Sequence, residues 1–303
     1  MQTAAPLIPV VRTEAEWTSR QRAHEQRVQL WIAPHQQRRR EGRTHPVLDF
    51  LFTYYSHTPG RLRRWHPGPG EVLLGETART RLSWPFHTEV TLGDGPTTGV
   101  GLNVAAFLAR RRDAVTWMAG LLRATAGRPA AFGCFGLHEW AMAYRPEDDA
   151  VRHDAVPLRL GVAGTAEVVD ASRVQCSHID AFRFFTPRAR PLNTLQPTRD
   201  TQAQLEQPGC LHATMDLYKW AYKLSPACPG ELVADCFALA VEVRELDMRA
   251  SPYDLREHGY TPVPIETAVG KAAYVAAQRR FADRGAALRA RLLAVCDALL
   301  AST

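Results

Sequence analysis

The chain has 303 residues, 46% hydrophobic and 22% charged, which is ordinary globular composition and excludes a disordered or collagen-like class. No apolar run approaches the roughly 18 residues that a membrane span requires. The net charge of +6 is confined to residues 1–70, which hold 11 arginines against 5 acidic residues, whereas the remaining 233 residues hold 26 charges of each sign. A localised basic segment (RQRAHEQR, HQQRRREGR, GRLRRWHPG) suits a polyanion partner or a solvated helix face. The opening stretch MQTAAPLIPVV lacks a basic n-region and a long apolar h-region, so no secretory leader is expected. Six scattered cysteines form no C-x-x-C pair, which argues against a zinc ribbon and reads as reduced thiols in a cytoplasmic protein.

In chain order, Thr13 and Glu16 form a T-x-x-E capping box that predicts a helix over about 14–42. A second helix start is expected at Thr44 or His45, with Pro46 in its first turn, leading into VLDFLFTYY. Residues 57–100 are rich in Pro and Gly and read as a long irregular region. Helices are expected over 102–125 and 136–144. The stretch VQCSHIDAFRFF alternates and is rich in β-branched and aromatic residues, which predicts a strand over 174–185. From residue 199 onward the pattern is helical again, ending in a helix over about 266–301. The expectation is a mainly α protein with a small β element around residues 174–185. It is read as one helical domain over 1–303, a basic N-terminal segment 1–70 and a helical remainder 71–303.

Most of the chemistry-bearing residues fall in four places. CLHATMDLYKWAYKL carries His212, Asp216, Lys219 and Lys223, at about 0°, 40°, −20° and 20° on a helical wheel, so they share one stripe. The chain has only three lysines against 34 arginines, which makes the pair unusual. The following helix offers a stripe of Glu231, Asp235, Glu242, Glu245 and Arg249, and antiparallel packing places Lys223 near Glu231 or Asp235. The plain alternative is two solvated stripes. His45 and Asp49 repeat the four-residue spacing, His138 and Glu139 are adjacent, and His178 and Asp180 alternate onto one strand face. His45, Asp49, His212 and Asp216 together make a candidate first shell for iron, manganese or zinc, although two ammonium groups on the same stripe would repel the cation.

The segments HPVLDFLFTYYSHTPGRLRRWHPG, FGCFGLHEWAMAYR, HIDAFRFFTPRARPLNTLQPTRDTQ and QPGCLHATMDLYKWAYKLSP resemble an actinobacterial-type family usually named 3-methyladenine DNA glycosylase. The resemblance runs over about residues 12–300. It implies a DNA-repair hydrolase that excises alkylated bases from double-stranded DNA without a cofactor. The chain shows neither a helix-hairpin-helix of the L-P-G-V-G type nor a Cys/His zinc set, so site residues are chosen by their own chemistry. Excision needs a flipped base, an aromatic face for the cationic ring and a placed carboxylate. Asp216 is the first candidate carboxylate, with His212 to orient it, and Asp180, His178 and Glu139 as further catalytic candidates. Arg38, Arg39, Arg40, Arg61, Arg63, Arg64, Lys219 and Lys223 are the DNA-binding candidates, and Tyr55, Trp65, Tyr218 and Trp220 the stacking candidates. A lysine nucleophile forming a Schiff base is a further option. The competing classes are a helical His/carboxylate metalloenzyme, di-iron oxygenase-like with iron or another divalent metal, and a non-enzymatic nucleic-acid-binding module.

Overall fold

The capping box at Thr13 closes as expected: the Thr13 hydroxyl accepts from the Glu16 N–H, and the Glu16 carboxylate accepts from the Thr13 N–H at 2.8 Å. It opens α1 (Glu14–Arg40), whose buried residues Trp17, His24, Val28, Ile32 and His35 recur at helical spacing. The computed structural model describes residues 9–93, 96–146 and 156–302, so most of the stretch read for a leader lies outside the described residues. The chain is mainly α. It also contains α2 (Phe50–Tyr54), α3 (Pro59–Arg63), α4 (Val104–Ala126), α5 (Leu137–Met142), α6 (Gly161–Asp170), α7 (Ile179–Phe182), α8 (Gln202–Leu205), α9 (Leu211–Leu224), α10 (Gly230–Arg249) and α11 (Ala268–Ala301). Among the described residues, no helix is long and apolar enough to cross a membrane.

The chain forms two compact units. One gathers residues 1–122, 217–238 and 288–303, and the other residues 123–216 and 239–287. The boundaries fall inside α4, α9, α10 and α11, which is why no linker is legible in the sequence.

The first unit holds the β structure, in the region expected to be irregular. Strands β1 (Val10–Arg12), β2 (Glu71–Leu73), β3 (His87–Thr91) and β4 (Thr98–Leu102) form one mixed sheet in the order β1-β2-β4-β3. β1 runs parallel to β2, and the other pairings are antiparallel. Gly99 permits the close approach of β4 to β2, since a Cβ there would lie 2.6 Å from Val72 and 2.8 Å from the Leu73 carbonyl. Trp17, Trp65, Leu73, Ala78 and Val100 pack into one core cluster. Beside it the buried Arg81 guanidinium lies 4.6, 5.1 and 5.2 Å from the ring centroids of Trp84, Trp17 and Trp65. Burial pushes its pKa down to about 10, and it donates to the Trp65 carbonyl at 3.0 Å and to Gln21 at 2.6 Å.

The strand expected over 174–185 does not form. Residues 173–178 join no sheet, with extended backbone at His178, and α7 follows them. Side-chain bonds satisfy this backbone: Asn193 Oδ1 accepts from the Cys176 N–H at 2.7 Å, and Asn193 Nδ2 donates to the Cys176 carbonyl at 2.9 Å. The helix expected at Thr44 or His45 starts later, at Phe50. His45 Nδ1 accepts from the N–H groups of Val47 and Leu48 at 3.2 and 3.1 Å, which shapes the preceding turn.

Candidate functional site

The second unit buries a dense set of histidines and carboxylates. α5 supplies His138 and Glu139, α9 supplies His212 and Asp216, and α10 supplies Arg244 and Asp247. His178 stands just before α7 and Glu206 just after α8. All eight side chains are buried. Each of the two long helices carries its pair at a spacing that keeps both members on one face: four residues apart on α9 and three on α10.

Two subclusters emerge. In the first, His138 Nε2 lies 2.7 Å from Asp247 Oδ1, and the His138 and His212 rings meet edge to face at 4.4 Å. Arg244 holds Glu139 at 2.9 Å and Asp247 at 3.3 Å. In the second, His178 Nε2 lies 3.1 Å from Glu206 and 3.5 Å from Asp216, and Gln202 donates to Glu206 at 2.7 Å. The His178 and His212 rings are 5.5 Å apart, so the subclusters adjoin. Among the described residues, the triads His138–His212–Asp247 and His178–Glu206–Asp216 each bring one donor atom per residue within 4.8 Å of one another.

Their electrostatics are those of a site short of positive charge. Burial would discharge His138, but the adjacent Asp247 charge and hydrogen bond hold its pKa well above the usual value. Burial acts the same way on His178, and Glu206 and Asp216 outweigh it, raising the pKa to about 9. His212 goes the other way, pushed well below by burial and by its neighbour His138. With neutral imidazoles, the four carboxylates Glu139, Glu206, Asp216 and Asp247 outnumber Arg244 within this group. Protonated histidines or bound cations are the two ways to offset such buried charge. The raised pKa of His178 supports the first, while its poor alignment with both carboxylates, which an ion between them would explain, supports the second. Both its ring nitrogens are buried without a hydrogen bond, because Nε2 is near two carboxylates yet aligned with neither. Glu139 Oε2 is likewise buried and unsatisfied. Imidazole nitrogens and a carboxylate oxygen left unsatisfied in one buried cluster suit a bound ion.

A cavity of about 290 Å³ reaches the first subcluster at His138 and is lined also by Cys134, Cys176, Cys210, Tyr274 and Gln278. Cys134 Sγ is 3.6 Å from His138 Nδ1. Burial pushes the Cys176 and Cys210 thiols up, so neither supplies a thiolate.

Of the catalytic candidates, the structure brings Asp216, His212, His178 and Glu139 together. Asp180 stands apart, buried and paired with Arg199 and with Arg183 at 3.4 Å. The first shell of His45, Asp49, His212 and Asp216 is not formed. Asp49 is occupied by His35 at 2.8 Å, Arg38 at 3.1 Å and the His45 N–H at 2.9 Å. Arg38 is thereby tied to Asp49, while Arg39, Arg40, Arg61, Arg63 and Arg64 are exposed. Glu231 pairs with Arg20, and Asp235 with Arg27 and Arg291, so arginines hold the acidic stripe expected for Lys223. Lys219 and Lys223 instead lie 4.6 and 5.6 Å from the Trp220 ring centroid. Tyr55 and Tyr218 pack edge to face in the core, and Trp65 is buried against Arg81, so these three rings are closed to a base. Trp220 is buried too but borders a cleft of the first unit.

Sequence reasoning missed Glu206, Arg244 and Asp247. The Arg244–Asp247 spacing of three residues was the available signal, but it is also that of an ordinary surface pair. The chain matches no family model, no curated protein and no solved structure.

Proposed function

We propose that the protein is a metal-dependent hydrolase whose centre is built from His138, His212 and Asp247 beside His178, Glu206 and Asp216. The observation that carries this reading is the His178 imidazole, buried within 3.1 and 3.5 Å of two carboxylates and well aligned with neither. A nitrogen-and-oxygen donor set suits zinc, manganese or iron. Such an ion supplies a nucleophile by lowering the pKa of bound water toward about 7. Arg244 orients Glu139 and Asp247, and Glu139 Oε2 is the oxygen available to take the water proton. The three cysteines of the adjoining cavity favour hydrolysis over oxygen activation, since an oxidising centre would convert nearby thiols to sulfenic acid and beyond. A cytoplasmic location is supported by the same thiols, since all six cysteines stand outside any disulfide.

The family resemblance supplies the bond: the N-glycosidic bond of an alkylated base, 3-methyladenine among them, in double-stranded DNA. Exposed Arg39, Arg40, Arg61, Arg63 and Arg64 support the DNA contact. The test is elemental analysis of the purified protein, with base release from alkylated duplex DNA measured before and after chelation. Near-stoichiometric metal that falls sharply in His178→Ala and His212→Ala is expected, together with base release lost on chelation and restored by one of the three metals. Metal-free protein that takes up none of them sinks the metal centre. Bound metal without base release keeps the centre and rejects the DNA substrate. Arg39→Ala with Arg40→Ala checks the DNA arm. The pair should flatten the slope of log affinity against log salt by about 0.9 for each phosphate that no longer has its arginine.

A further inference from the structure

The first unit has a cleft of its own, with a volume of about 570 Å³, in the size range of small-molecule sites. Four cations line it, Arg61, Arg64, Arg111 and Lys223, and among the described residues no Asp or Glu does. Among the described residues, Arg61, Arg64 and Arg111 form no ion pair. Arg64 sits 4.8 Å from the Trp84 ring centroid, and Arg111 donates one Nη to the Lys223 carbonyl at 2.8 Å, which fixes its direction. His57 and His66 also border the cleft. Burial lowers the pKa of His57 to about 4 and that of His66 well below its usual value, so they add hydrogen-bonding edges rather than charge.

The rest of the wall is aromatic. Trp84, Trp117 and Trp220 all face the cleft. Trp117 is 47% exposed, a large apolar surface left in water, and its ring meets Trp220 edge to face at 5.5 Å. A cavity lined by indoles and by guanidiniums without carboxylate partners suits a ligand that carries both a planar ring and an anionic group. Aromatic faces stack any planar base, and guanidinium forks match phosphate oxygens.

We propose that this cleft binds a nucleoside monophosphate, with its base against Trp117 and Trp220 and its phosphate held by Arg61, Arg64 and Arg111. The proposal is independent of the metal centre, since every residue it uses belongs to the first unit. The dimensions favour a single nucleotide over a duplex, and a strand terminus carries the same chemistry, so the experiment separates the two.

The test is titration of the full chain with AMP, GMP, CMP and UMP, followed by tryptophan fluorescence and calorimetry. Adenosine, inorganic phosphate and a single-stranded octanucleotide serve as comparison ligands. At least one monophosphate should saturate one site per chain, with adenosine and inorganic phosphate each at least about tenfold weaker. Arg64→Ala and Arg111→Ala should each weaken binding about tenfold or more, and Trp117→Ala about fivefold. Arg280→Ala, an exposed arginine of the second unit, should leave it unchanged. Trp117 is exposed enough that its replacement tests the site even if an arginine variant folds poorly. The proposal is overturned if no monophosphate saturates at millimolar concentration, or if phosphate alone binds as tightly. It fails equally if Trp117→Ala and Arg64→Ala bind normally, or if only the octanucleotide binds.

Discussion

The two units handle charge in opposite ways. The second packs four carboxylates, three imidazoles and one guanidinium into one buried cluster, whereas the first gathers four cations and three indoles around an open cleft with no carboxylate among its described lining residues. In the first case desolvation makes every unmatched charge expensive, so the cluster persists only with close partners. In the second, water screens the cations, and their mutual repulsion is small. The contrast teaches that residue type alone does not identify a site. The same arginine is a structural counter-ion at position 244 and a ligand-facing group at position 64.

Removing the Arg244 charge should have the largest effect. Arg244→Met leaves Glu139 buried without its cation and Asp247 with His138 alone, and should cost about 3–5 kcal/mol in denaturant unfolding. A cost below about 1 kcal/mol would mean that water reaches the cluster and that the two units differ less than their burial implies.

Metal removal should come next. If ions fill the two triads, an ion at 100 times its dissociation constant contributes about 2.7 kcal/mol, so chelation should lower the melting temperature by several degrees. An unchanged melting curve after complete chelation argues for protonated histidines in place of ions.

The pH dependence sharpens the first unit's side. The His57 pKa is depressed by burial, and secondarily by Arg61, to about 4 from an unfolded value of about 6.5. Between those values the unfolded chain binds more protons than the folded one. The contribution is therefore fully present above about pH 6.5 and is lost as pH falls toward 4, on the order of 3 kcal/mol in all. His57→Gln should flatten the stability profile across that window. Equal slopes in variant and parent would assign the loss to other groups.

The smallest effect is expected at the cleft rim. Arg64→Ala removes an exposed cation from the Trp84 face and should change stability by about 0.5 kcal/mol. A loss above about 2 kcal/mol in thermal unfolding would make Arg64 a structural residue, and the comparison with Arg244 would collapse.

What the sequence determined by itself was local. Thr13 and Glu16 mark the start of α1 because a capping box is closed within four residues, and the helices over 104–126 and 268–301 follow from periodicity and the absence of breakers. The four-residue spacing likewise puts His212 and Asp216 on one face of α9. Tertiary structure decided which faces were buried. The His212–Asp216 face lies in the interior with Glu206 and Asp247, residues that carry no motif of their own. It also decided the sheet, whose strands of three to five residues obtain their partners from up to 61 positions away and so leave little local periodicity. Asn193 satisfied the Cys176 backbone and cancelled an expected strand, and His35 and Arg38 claimed Asp49 before any metal could. The physical reason is common to all of these: helix caps and helical faces are set by neighbours along the chain, whereas burial, charge pairing and strand pairing depend on groups that only folding brings together.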